Sequence, residues 1–85
     1  MEVQVGHVTH YYSRLGVAAV EVEDDEIDVG DTIHIKGHTT DLVQPVESIE
    51  FEHHHIDEAK PGQSVGIKVK EHVREHDAVL KVLPE

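Results

Sequence analysis

The chain contains no cysteine and no tryptophan among its 85 residues, and only one phenylalanine and two tyrosines. Without thiols, no disulfide can staple the fold and no thiolate can hold a metal, so stability rests on backbone pairing and packing. The absence of cysteine also fits a reducing compartment. Positive charge is scarce: seven Lys and Arg stand against eighteen Asp and Glu, for a formal charge of −11. Such a surface repels phosphate backbones at long range, and the seven cations are scattered along the chain, which argues against direct nucleic-acid binding. No apolar run approaches a membrane span, and the first residues show no cationic-then-apolar leader pattern. The expectation is a soluble, cytoplasmic protein with no membrane partner.

What remains is the material of a small β-structure. The length suits one domain spanning residues 1–85, with a modest core of a little over ~60% of the unfolded surface buried. The apolar residues are dominated by Val and Ile, whose branched side chains pack well on a pleated sheet. Nine histidines are the other excess. Protonating all nine would take the formal charge from −11 to −2, so the net charge varies strongly near pH 6.

Alternation of apolar and polar positions predicts six strands. Residues 2–12 form the first, ending in Tyr11-Tyr12, and Ser13-Arg14-Leu15-Gly16 is the turn into residues 17–23. There Ala18, Val20 and Val22 share one face. The acidic run Glu23-Asp24-Asp25-Glu26 reads as a solvated loop, after which Ile27 and Val29 tuck beneath the sheet and Gly30-Asp31 turns the chain. Residues 32–36 follow, with Ile33 and Ile35 inward and His34 outward. Residues 42–52 form a long fourth segment that needs an edge or a bulge at Pro45, which has no N–H to donate. Residues 53–60 read as a loop or one helical turn. Val65, Ile67 and Val69 face inward on the fifth strand, 71–77 is a polar connection, and 78–82 is the last strand before Pro84. Six evenly spaced strands predict an all-β antiparallel barrel, with an open sandwich as the alternative.

The ordered cues Gly16-Val17, Ile27-Asp28-Val29-Gly30-Asp31, Ile33/Ile35 before Gly37, Val46-Glu47-Ser48-Ile49, Lys60-Pro61-Gly62-Gln63-Ser64-Val65-Gly66 and Val73-Arg74-Glu75-His76-Asp77 cover nearly the whole chain. In that order they resemble domain II of elongation factor Tu and the small translation elongation factor-like proteins. The resemblance implies a six-stranded antiparallel Greek-key β-barrel and a translation-linked docking role. It does not bring GTP binding, because the phosphate loop Gly-x-x-x-x-Gly-Lys-Ser/Thr is missing from the sequence.

Four groups of residues could carry chemistry. His38, Thr39, Thr40 and Asp41 offer uncharged donors and a carboxylate in one loop, and rank first for binding. Tyr11, Tyr12 and Arg14, with His7 and His10, form a polar-aromatic patch able to stack a base or ring. Of His53-His54-His55, alternation on a strand would put His53 and His55 on one side as zinc or nickel ligands, with Glu50, Glu52, Asp57 and Glu58 nearby. His72 and His76, four apart, would share a face of a helical turn. Ser13, Ser48 and Ser64 lack any nucleophile-elbow setting, which argues against an enzyme. The leading expectation is a non-catalytic binding module that docks a protein or ribonucleoprotein partner. The alternatives are a histidine-dependent metal-binding protein, and an accessory barrel of a larger enzyme, similar to the barrel appended to collagenase-like peptidases.

Overall fold

Residues 1–84 are described by the computed structural model, and every regular element among them is a strand. β1 (Glu2–Tyr12) and β2 (Val17–Val22) make a long hairpin, followed by β3 (Ile27–Asp28), β4 (Thr32–Lys36) and β5 (Asp41–Pro45). β6 (Ile49–Phe51), β7 (His54–Ile56), β8 (Glu58–Ala59), β9 (Ser64–Lys68) and β10 (Ala78–Val82) complete the chain. Eight strands form one antiparallel sheet in the order β5-β4-β10-β1-β2-β9-β6-β7, and β3 pairs separately with β8.

The all-β antiparallel class agrees with the alternation in the sequence, whereas the count of six strands is corrected to ten, eight of them in one sheet. Two local causes account for the difference. The expected strand over 42–52 divides, because the chain at Val46 leaves β4 to exchange backbone bonds with Gly30 and Asp31 (2.9 and 2.8 Å). The expected loop over 53–60 carries β7 and β8. Glu52 and His53 both take left-handed backbone angles (φ 49° and 69°), a two-residue turn that folds β7 back on β6. Such turns favour glycine and asparagine, so a Glu-His pair gave no signal.

The core is aliphatic. Ala18, Val20 and Val22 of β2, Ile33 and Ile35 of β4, and Val65 and Ile67 of β9 are all buried, as their period-two spacing requires. Ile27 is fully buried beneath the sheet as expected, but Val29 is 41% exposed. Tyr11 and Phe51 pack against this cluster from its margin.

Backbone ladders do not join β5 to the β9-β6-β7 half, yet the sheet curls until these meet. The agent is Gln44, 2% exposed on β5. Its Nε2 donates to the Lys68 carbonyl (2.8 Å), and its Oε1 accepts from the Lys70 N–H (2.8 Å). One buried amide thus completes a barrel-like shell and satisfies two backbone groups where the chain leaves β9.

Candidate functional site

Three connections converge at one end of this shell: the β1–β2 turn (13–16), the β4–β5 loop (37–40) and the β9–β10 connection (69–77). The register puts them there. Tyr12 lies opposite Val17, Val17 opposite Lys68, and Lys36 opposite both Asp41 and Ala78. Hydrogen bonds then knit the connections together. The Val69 N–H donates to the Gly16 carbonyl (2.9 Å), and Arg74 Nε donates to Thr39 Oγ1 (2.9 Å). The Asp77 carboxylate, 5% exposed, accepts from the Arg74 N–H (2.8 Å) and fills the space that a side chain at Gly37 would take.

The two binding candidates read from the sequence therefore become neighbours through Arg74. Tyr11 lies beside His72, ring centroids 4.6 Å apart, and Tyr12 meets His10 edge-on at 4.4 Å. His10, Tyr11, Ser13, His72, Val73, Arg74 and Glu75 line a shallow groove of about 460 Å³. Arg14 is exposed in the turn, His38 and Thr39 are exposed and Thr40 is buried. Asp41 is not a free loop carboxylate: it opens β5 and pairs with His34 Nε2, while His34 Nδ1 holds Glu2 at 2.9 Å. His34, expected to point into solvent, is covered by these two carboxylates and is 9% exposed.

The cations expected to be scattered are gathered by the fold. Arg14, Lys70 and Arg74 lie in the converging connections, and Lys36 and Lys68 end the strands that enter them. Among the described residues, these five make no ion pair, whereas Lys60 and Lys81 at the opposite end are both paired with carboxylates. Sequence reasoning missed this grouping because Arg14, Lys36 and the Lys68–Arg74 segment come from separate parts of the chain.

The histidines named as metal ligands do not assemble. His53 sits in the left-handed turn, outside the strand alternation that would align it with His55, and His55 faces Glu50 across β6 and β7. His72 is engaged with Tyr11, His76 takes a left-handed turn conformation (φ 76°), and residues 69–77 contain no helical turn to align the pair. Among the described residues, the one trio of potential ligand atoms within 4.8 Å of one another is Glu26, Asp28 and Glu58, at the opposite end. Two lysines already serve that end: Lys60 Nζ lies 3.3 Å from Glu26, and Lys81 Nζ lies 3.4 Å from Asp25.

That acidic end and His34 together set a pH response. A shared hydrogen bond with Glu26, then burial and neighbouring carboxylates, push Asp28 up to about 6, while the same bond and Lys60 lower Glu26. Hydrogen bonds to Asp41 and then Glu2 raise His34 above its ordinary 6.5. A folded-state value raised above the unfolded one confers stability that is lost as pH climbs through the folded value. For Asp28 this window runs from the ordinary 3.8 to about 6, and for His34 it lies above 6.5. Lowered Glu26 acts oppositely, losing stability as pH falls below its ordinary 4.5. The melting temperature is therefore expected to peak between about pH 4 and 4.5 and to fall toward pH 8. Asp28→Asn should flatten the part of that fall below pH 6. Thermal melts across this range that rise steadily with pH would contradict the assignment.

Beside the cationic end, the outer face of β2, β9 and β6 forms a shelf whose apolar part is Tyr12, Leu15, Val17 and Ala19 and whose border is Glu50, Glu52 and His53. Val17 and Ala19 flank Gly66, and Tyr12 and Leu15, 48% and 66% exposed, project over it from the hairpin turn. Gly66 lines a hollow of about 510 Å³; a Cβ there would come 3.1 Å from Val17 Cγ1.

No known protein-family profile matches the chain. It is 42% identical over 81 residues to a collagenase of Porphyromonas gingivalis, covering 94% of this chain and 20% of that protein. It is 38% identical over 79 residues to an uncharacterized protease of Methanocaldococcus jannaschii, covering 92% of this chain and 19% of that protein. The chain thus spans about a fifth of the length of the curated relatives it matches. Among solved structures, it matches the C-terminal domain of a Geobacillus thermoleovorans U32 peptidase with a TM-score of 0.87 and 26% identity, over 94% of this chain and 92% of that domain. A selenomethionine form of the same domain matches with a TM-score of 0.84. These findings overturn the expected kinship with elongation factor domain II: over nine-tenths of its length, the chain is similar to collagenase and U32 peptidase sequences, and its shell resembles that of a U32 peptidase C-terminal domain.

Proposed function

We propose that this chain is a non-catalytic accessory module of a collagenase-type peptidase, seated against the larger catalytic part through the Tyr12–Leu15–Gly66 shelf. The observation that carries this reading is the match to nearly all of a U32 peptidase C-terminal domain, together with protease relatives of which the chain covers only about a fifth. The shelf supports it. An apolar strip with a bare glycine at its centre and a projecting leucine suits burial against another surface better than contact with water. Among the described residues, Ser13, Ser48 and Ser64 make no hydrogen bond to a histidine or carboxylate, and the reading gives the module a positioning role.

The test is a chimera in which the matching fifth of the P. gingivalis collagenase is replaced by this chain, with collagen cleavage as the readout. Cleavage retained by the chimera and reduced by Leu15→Asp, with none from the isolated chain, supports the reading. Cleavage by the isolated chain overturns it, as does a chimera indifferent both to Leu15→Asp and to removal of the module.

A further inference from the structure

We propose that the shell end formed by residues 13–16, 37–40 and 69–77 binds a single-stranded nucleic acid, with phosphates on Arg14, Lys68, Lys70 and Arg74 and a base against the Tyr11–His72 ring pair. In a chain of net charge −11, cations are few, and most are expected to be spent on neighbouring carboxylates. The two at the opposite end are: Lys60 meets Glu26 and Glu58, and Lys81 meets Asp25 and Asp31. The five at this end have no carboxylate partner among the described residues.

Of the carboxylates at the same end, Asp41 is held by His34, Glu75 by His10 and Asp77 by the Arg74 N–H, Glu71 is in solvent, and Glu50 and Glu52 line the neighbouring hollow. The five cations here stand against a similar number of carboxylates, whereas Lys60 and Lys81 stand among a far larger acidic set. A polyanion is therefore steered away from that end and toward this one.

Charge alone would serve an acidic polypeptide equally well. The rings decide between the two. Tyr11 and His72 line an open groove beside Arg74, and His10 and Tyr12 continue it along β1. A track of cations flanking aromatic faces is the arrangement that holds single strands, because every base offers a face to stack while its phosphate stays at the rim. A duplex keeps its bases stacked inside and cannot use the rings.

The experiment measures fluorescence anisotropy of an end-labelled oligouridylate of about twelve nucleotides, long enough to track one small barrel. Saturable binding is expected, weakening between about 50 and 200 mM salt as counterion release requires. Arg14→Glu combined with Lys70→Glu should lower affinity by about tenfold or more, and Lys68→Glu, on a different strand, should act in the same direction. All three positions are exposed, and circular dichroism verifies that the variants fold. Lys60→Glu, from the opposite end, should leave affinity unchanged. Absence of saturable binding at low salt overturns the proposal, as does an equal loss in Lys60→Glu. Competition by polyglutamate as effective as that by the oligonucleotide reassigns the surface to acidic protein, and equal binding of a duplex removes the stacking role.

Discussion

Gly6→Ala is expected to lower the unfolding free energy by about 3 kcal/mol or more, at the upper end of what overpacking costs. The position looks mild: Gly6 lies within β1 and its backbone angle is not one that demands glycine. The reason is close approach. A methyl group there would overlap the carbonyl oxygen of Glu21 and stand 3.1 Å from that residue's carbonyl carbon, both of them backbone atoms of β2. Backbone in the middle of a sheet cannot swing aside as a side chain can. Gly6 also marks the irregularity in the pairing of β1 with β10, and pairs with Val22 on its other side, so a displacement reaches three strands. An 85-residue domain has a total stability of roughly 4 to 13 kcal/mol, so this loss is a large share of it. Gly66→Ala is the contrasting case. Its closest neighbour is the Val17 Cγ1 atom, which can give way, and the expected cost is about 1 kcal/mol or less. Urea melts of the two variants measure the difference. Equal midpoints would show that the β1–β2 contact relaxes freely.

Neither glycine could be ranked from the sequence, and the reason separates what was legible from what was not. The inward sets 18/20/22, 33/35 and 65/67 followed from period-two alternation, because a buried sheet face leaves no other phase open. Gly16 could be placed because a four-residue turn of that composition needs a left-handed position, and it takes φ 66°. The Glu52-His53 turn was hidden because its residues are not the usual ones for its geometry. The burial of His34 depends on carboxylates 32 and 7 residues away, and the cationic end depends on residues brought together only by closure of the shell. The likeness to translation factors rested on Val-Gly-Asp and Pro-Gly turns feeding short strands. Such cues report the turn chemistry that small β-shells share, and carry little information about descent.

Gln44→Leu is expected to destabilise the chain by about 2 kcal/mol, because two half-buried backbone groups lose their partner at the lower end of about 1–3 kcal/mol each, partly offset by the added apolar contact. The signal was present in the sequence: Gln44 follows Leu42 by two positions and so occupies the inward face of β5. Its amide is matched to its task. The Lys70 N–H needs an acceptor and the Lys68 carbonyl needs a donor, and a carboxamide is the side chain that supplies both at once. Gln44→Glu should therefore not rescue the loss, since a carboxylate would face the Lys68 carbonyl without a proton to donate. Amide hydrogen exchange at Lys70 is the sensitive readout. Protection there should collapse in either variant, while protection at the Ala18 and Val20 amides of β2 should fall only with global stability. The consequence reaches the cationic end, because residues 69–77 are tied to the shell at their start by this amide and by the Val69–Gly16 bond. A variant that removes no charge should then weaken oligonucleotide binding by loosening the segment that carries Lys70, His72 and Arg74. Unchanged Lys70 protection in Gln44→Leu would mean that the shell closes without the amide and that this end is held by its other contacts.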